Sequence, residues 1–305
     1  MFATQSAKIM IKKGFSHIGI FFLYILSLLP LPVLYIFSSI LYYPLYYIIG
    51  YRKKVVRENL QNSFPEKNLH DIIQIEKTFF KYFTDLVFEI VKMTTISEKG
   101  ITKRFKFKNL EIVEDHFKRG ESVLACTGHY GNWEWGMLAL GIQLSQPSYV
   151  IYKPLNNKIF DKWFYDIRTK YGNKFVAMKQ TLRALTANKD TSTMFCFAGD
   201  QTPIKEESKY WINFLNQPTP VLLGLEKIAF QTNRAIIYFK VTVVKRGYYE
   251  VEAIPMVLVP KDTIGHEITD KQFKLLEEII QENPPYWLWS HRRWKHKPEI
   301  NIYGT

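Results

Sequence analysis

Cysteine is nearly absent from this chain of 305 residues: Cys126 and Cys196 are the only two. Neither sits in a CxxC or a Cys/His spacing suited to zinc, and two thiols in buried-strand runs cannot staple a disulfide framework. Both read as packing residues, free thiols of a domain facing a reducing compartment. No GxSxG occurs, which excludes the nucleophile elbow of a serine hydrolase. Internal repeats and low-complexity tracts are also missing. Acidic residues are scarce beside basic ones, 28 against 41, for a formal net charge of +13. That imbalance implies an anionic partner, whether nucleic acid, phospholipid surface, phosphorylated substrate or acidic protein.

The longest absence is of charge itself. From Gly14 to Tyr51 there is no Asp, Glu, Lys or Arg. The apolar runs Ile18 to Leu29 and Val33 to Ile49 together exceed the roughly 20 residues needed to span a bilayer. Pro30 and Pro32 interrupt them, so the segment is either one kinked span or two pieces that dip into one leaflet. Lys8, Lys12 and Lys13 precede it and Arg52, Lys53, Lys54 and Arg57 follow it. Basic flanks on both sides slightly favour a hairpin. The expected organisation is an N-terminal membrane anchor over 1–51 and a catalytic domain over 52–305.

Beyond the anchor the pattern alternates. Asp71 to Met93 carries Ile72, Ile75, Phe79, Phe83, Leu86 and Ile90 at helical spacing. Strands are expected at Ser122–Thr127, Ser148–Tyr152, Thr193–Phe197, Ala235–Val244 and Tyr248–Leu258, with helices over Trp133–Leu144, Lys158–Tyr171, Thr181–Asn188, Val221–Gln231 and Glu267–Glu282. The fold class is therefore α/β, a mixed and mostly parallel central sheet flanked by helices behind an N-terminal hydrophobic membrane anchor. The last two strands read as an antiparallel pair turning at Lys245, Arg246 and Gly247.

In such sheets the crevice lies just past the carboxyl ends of the strands, where His129, Lys153 and Asp200 all fall. His129 and Glu134, within GHYGNWEWG, are expected to form a catalytic dyad. The acid lies in the first turn of a helix beginning near Asn132 and turns back to hold the imidazole in one tautomer. Lys153 either binds a phosphate or carboxylate or is a solvated lysine. Asp200 and Gln201 position substrate, brace the His129 loop, or simply make a turn with Thr202 and Pro203. The cluster Trp287 to Lys297, with Arg292, Arg293 and Trp294 at its centre, mixes aromatic and basic groups as a surface meeting anionic headgroups or a partner does.

GHYGNWE, IYKPLNN, FAGDQTP and PPYWLWSHRRWKHKPE, in this order behind an apolar N-terminus, resemble the bacterial lipid A late acyltransferases over nearly the whole chain. The resemblance implies transfer of a fatty acyl group from acyl carrier protein, or a related thioester, to a hydroxyl of a lipid A precursor. It places the catalytic domain on the cytoplasmic side of the bacterial inner membrane. It implies no metal or other cofactor and no covalent enzyme intermediate. The acceptor hydroxyl is then the nucleophile, His129 takes its proton, and the developing thioester oxyanion needs donors. Backbone N–H groups at Gly131 and Asn132 and the Arg168 guanidinium are the candidates. Rival readings keep the chemistry on a lysophospholipid, aminolipid or phosphoinositide acceptor, substitute water as in a thioesterase, or make the protein a nucleic-acid binder. The last lacks any recognisable RNA-binding motif, so no nucleic-acid partner is expected.

Overall fold

The computed structural model describes residues 2–298, with side-chain surroundings from residue 14 onward. Two helices open the chain, α1 (Phe2–Leu28) and α2 (Leu31–Tyr43), the second continuing through a π-helical turn at Pro44–Ile49. Pro30 and Pro32 dictate the break: neither ring can sit inside a helix, whereas Pro32 fits the first turn of α2. The break is held from below, where the Lys92 ammonium donates to the carbonyls of Ser27 (2.7 Å) and Leu29 (3.0 Å). Leu31–Ile49 is long and apolar enough to cross a membrane by length and composition.

Next come α3 (Lys53–Ser63), α4 (Leu69–Lys92), α5 (Glu98–Arg104), β1 (Phe105–Lys108), α6 (Glu111–Lys118), β2 (Val123–Thr127), α7 (Trp133–Gln143), β3 (Ser148–Tyr152), α8 (Lys158–Thr169), β4 (Lys174–Ala177), α9 (Thr181–Ala187) and β5 (Met194–Ala198). A small hairpin follows, β6 (Tyr210–Phe214) with β7 (Gln217–Val221), then α10 (Gly224–Thr232), β8 (Ile236–Lys245), β9 (Tyr248–Val257) and α11 (Glu267–Glu282). The main sheet runs β1-β9-β8-β2-β5-β3-β4. Strands β2, β3, β4, β5 and β8 are mutually parallel, β9 returns antiparallel to β8, and β1 runs parallel to β9. The mixed, mostly parallel sheet expected from the alternating pattern is what forms. Four strands were not anticipated. β1 and β4 are four-residue edges, too short to show a period, and β7 reads QPTPV, whose prolines argue against a central strand but suit a free-standing two-stranded hairpin.

One hydrophobic core runs from Leu31 on α2 through the sheet to Trp294. α4 is its spine. Its buried stripe includes Ile72, Phe79, Phe80 and Leu86, each contributing about 1.5–3 kcal/mol on burial. The same face presents carboxylates to α2: Tyr46 donates to Glu76 (2.8 Å), Ser38 to Asp85 (2.5 Å) and Tyr35 to Glu89 (2.7 Å). Glu89 is fully buried and also accepts from Tyr249 and Asn132, both at 2.6 Å. It thereby joins α2, the β9 strand and the start of α7.

Burial pushes the Glu89 carboxyl up to about 7, against the pull of its three donors. A carboxyl whose folded value exceeds its unfolded one binds an extra proton in the folded state, so its contribution to stability falls as pH rises between about 4.5 and 7. The span corresponds to about 3 kcal/mol. Urea titrations of wild type and Glu89→Gln should give a stability difference that shifts in favour of the variant by that order between pH 5 and 8. A pH-independent difference would show that Glu89 does not titrate in this range.

Candidate functional site

The site follows from strand register. β2 and β5 are neighbours with Thr127 opposite Ala198, so the residues two positions past each strand end, His129 and Asp200, emerge side by side. Gly128 makes the approach possible: a Cβ there would stand 2.5 Å from Leu276 and 3.4 Å from an Asp200 carboxylate oxygen. The Asp200 carboxylate is bound three times. Oδ1 meets His129 Nδ1 at 2.6 Å, while Oδ2 accepts the His129 backbone N–H and the Trp287 indole N–H, both at 2.8 Å.

Glu134 was expected to hold the His129 ring, and here the structure corrects the reading. Glu134 does lie in the first turn of α7, nearly buried, but its carboxylate turns toward α8. There it takes a two-pronged bond from Arg168, Nε to Oε2 at 2.8 Å and Nη2 to Oε1. The five-residue spacing places the acid near the imidazole, where its charge is felt, while Asp200 from the neighbouring strand occupies Nδ1. Arg168 also stacks on Phe164 and Phe175, which fixes the plane of its guanidinium.

Burial alone would lower the His129 value; the Asp200 charge and hydrogen bond, with a smaller push from Glu134, overcome it and raise the imidazole above its usual value. Asp200 is also penalised by burial, yet the His129 charge and its hydrogen bonds hold it well below the ordinary carboxylate range. With Nδ1–H directed at Asp200, Nε2 carries the free lone pair, and the Gln201 amide nitrogen stands 3.2 Å from it. The result is the tautomer required of a general base.

The remaining expected residues divide. Asn132 is fully buried and caps α7, accepting the Trp135 N–H at 2.9 Å while its amide serves Glu89, so its side chain cannot reach substrate. The Gly131 N–H is not available to an oxyanion either, because it donates to the Tyr286 carbonyl at 3.0 Å. Glycine is needed there for a different reason: φ is +58° and a Cβ would lie 2.7 Å from Val241. Lys153 is exposed just past β3 and forms no hydrogen bond or ion pair among the described residues.

The C-terminal cluster is the second correction. Arg292 is exposed, but Arg293 is fully buried and Trp294 nearly so, so neither belongs to a membrane or partner surface. Residues 286–294 instead form a strap across the site. Leu288 N–H donates to the His129 carbonyl (3.1 Å), Trp294 donates to Thr219 (2.7 Å), Arg293 donates to the Pro220 carbonyl (2.7 Å), and His291 Nε2 accepts the Thr202 N–H (3.1 Å). Burial pushes His291 down to about 4, leaving it a neutral acceptor. Trp287 was missed as a site residue. The available signal was its type, since a Trp-x-Trp pair is too large and apolar to leave wholly on a surface.

At the carboxyl end of the α/β sheet, then, one nitrogen of a partly exposed imidazole is fixed on a buried carboxylate, and the other is free to accept a proton. The chain belongs to the bacterial lipid A biosynthesis acyltransferase family, whose model matches residues 3–296. It is similar to a lipid A biosynthesis acyltransferase of Haemophilus influenzae, 25% identical over 281 residues that cover 89% of this chain and 85% of the relative. The lipid A biosynthesis palmitoleoyltransferase of Escherichia coli is 22% identical, covering 83% and 82% of the two chains. The lauroyltransferase of the same organism is 21% identical, covering 92% of each. Relatives of different acyl specificity thus match alike.

Replacing Asp200 by Asn should remove the charge that raises His129 and disturb the tautomer. The acid limb of kcat/KM against pH should move downward while kcat falls by about 10²–10⁴-fold. A limb unmoved from wild type would disconnect Asp200 from the titrating base.

Proposed function

We propose that this acyltransferase moves a fatty acyl group from an acyl carrier protein thioester, or a related thioester, to a hydroxyl of a lipid A-type glycolipid precursor. His129 Nε2 accepts the hydroxyl proton as the oxygen attacks the thioester carbon, and Asp200 stabilises the imidazolium that forms. The tetrahedral intermediate then collapses, the thiolate leaves, and the proton on His129 passes to it, so the base is regenerated without an acyl-enzyme. Gln201 occupies the Nε2 position in the free enzyme and gives way to the acceptor hydroxyl.

Glu134 keeps a part in this scheme, although a different one from holding the ring. It fixes the Arg168 guanidinium beside the imidazole, and Arg168 supplies a donor for the thioester oxyanion. Lys153, exposed just past β3, binds a phosphate or carboxylate of the acceptor in this reading. Arg292, Lys295 and Lys297 are exposed near the strap and give an acidic carrier protein a basic landing surface. Residues 1–51 hold the enzyme at the inner membrane with 52–305 on the cytoplasmic side, where both substrates are supplied. A lauroyl- or myristoyl-type donor is the preferred form of the reading.

The observation that carries it is the His129–Asp200 pair, with the second ring nitrogen left for an acceptor. Purified His129→Ala, assayed with acyl carrier protein thioester and a lipid A precursor, should fold normally and lose about 10²–10⁴-fold in kcat. Glu134→Gln should lose activity while leaving the acid limb of the pH profile near that of wild type, since Asp200 remains on the ring. Wild-type turnover by His129→Ala, or hydrolysis of the thioester at the same rate with and without acceptor, would overturn the proposal.

A further inference from the structure

The hairpin of β8 and β9 extends past the end of β2. β8 pairs with β2 only as far as Tyr238, so the stretch out to Lys245 and back from Tyr248 runs beyond the end of that pairing and meets α2. At its tip the Arg246 guanidinium donates to the Tyr35 carbonyl (3.0 Å) and Ser39 hydroxyl (3.1 Å) of α2, and to Asp85 of α4 (2.8 Å). Among the described residues its Nη1 takes no partner, and the side chain is 45% exposed. Lys245 and Arg104 both stack on Tyr248, with the cation 4.6 and 4.7 Å from the ring centre. Three cations thus gather at one turn. The carboxylates facing them are Asp85, spent on Arg246 and Ser38, and buried Glu89.

Beside this cluster a groove of about 520 Å³ follows the outer face of α2, walled by Pro32, Ile36, Ile40 and Pro44 and ending at Arg246. These residues recur every four positions and so form one apolar ridge that winds obliquely along the helix. Twelve residues of helix rise about 18 Å, close to the depth of one leaflet of a ~30 Å hydrocarbon core. Val244 at the hairpin tip is 60% exposed, an apolar side chain next to basic ones.

Resting on the membrane association proposed above, we infer that this turn and groove bind an anionic glycerophospholipid of the host leaflet. Its phosphate sits on Arg246 Nη1 and Lys245 and one chain lies along α2. Charge complementarity selects the occupant: an apolar wall with Arg246 in its lining, Lys245 and Arg104 beside it, and Asp85 as the carboxylate paired to Arg246, fits a lipid whose headgroup is negative. None of His129, Glu134, Arg168 or Asp200 lines this groove. From Arg246 the contacts lead through Asp85, one turn of α4, Glu89 and Asn132 before they reach the His129 loop.

The test uses the full chain. Cys126 and Cys196 are buried, so Val244→Cys offers an accessible thiol for an environment-sensitive fluorophore. Phosphatidylcholine–phosphatidylglycerol vesicles should shift its emission to the blue, and phosphatidylcholine alone should do so far less. Lys245→Gln, unlabelled and measured by co-sedimentation, should weaken binding to the mixed vesicles about fivefold and leave acyl transfer in detergent micelles unchanged. An equal response to both vesicles, or no effect of Lys245→Gln, overturns the site. Turnover in micelles reports the chemistry separately, so a silent probe with active enzyme sinks this inference alone, and a responsive probe with inactive enzyme sinks only the acyl-transfer reading.

Discussion

A carboxylate with almost no access to water is the constraint around which the site is built. Asp200 can stay ionised only because three N–H groups surround it, the backbone and imidazole N–H of His129 and the indole N–H of Trp287, and distinct features of the fold deliver them. The register of β2 and β5 delivers His129; the absence of a side chain at Gly128 lets the two loops close; the C-terminal strap delivers Trp287. An unpaired buried charge costs several kcal/mol, so the loss of any one contributor is felt by the others. The strap is consequently part of the site although its residues lie some ninety positions from Asp200 in the chain. Its hydrogen bonds to the His129 loop, to Thr202 and to the β6–β7 hairpin tie the base, its carboxylate and the covering loop into one rigid unit.

Much of this architecture was legible in the sequence because it rests on periodicity. The long amphipathic stretch of α4, the five core strands and the antiparallel return of the last two follow from local patterns. So does the placement of His129 and Asp200 at strand ends. What periodicity could not supply was strand order. β2 and β5 are separated by more than sixty residues, two strands and three helices, yet they lie next to each other in the sheet. Without that adjacency, Glu134 was the only acid close enough in sequence to assign to His129, and Asp200 was left with a substrate-positioning, bracing or turn role. The side-chain directions then decide: an acid in the first turn of α7 points where the neighbouring helix α8 can reach it, and Arg168 does.

The terminal cluster failed for a related reason. Alternating Trp and Arg in a short segment has two physical solutions, an interfacial surface or a buried strap whose polar atoms find fixed partners. Composition is the same in both. Burial distinguishes them, and Arg293, fully buried and reaching a backbone carbonyl, shows how far the second solution was taken. A separate basic cluster forms elsewhere, where Arg104 is brought in space beside Lys245 and Arg246, some 140 positions further along the chain.

Glu89 and Asp200 are two of the buried carboxylates, and the contrast between them separates scaffold from chemistry. Glu89 and Asp200 each accept three hydrogen bonds and each is penalised by burial. Glu89 receives only neutral donors, two tyrosines and an asparagine, and burial wins: its value rises to about 7. Asp200 faces an imidazole that can carry charge, and the electrostatic attraction wins instead, holding the carboxyl ionised. The difference is one ionisable donor. A carboxylate that stays charged in a dry site raises the basicity of the ring it holds, which is what a proton acceptor for an alcohol requires. A carboxylate that shares neutral hydrogen bonds supplies position rather than basicity, and Glu89 spends its position on joining three elements, α2, α7 and β9.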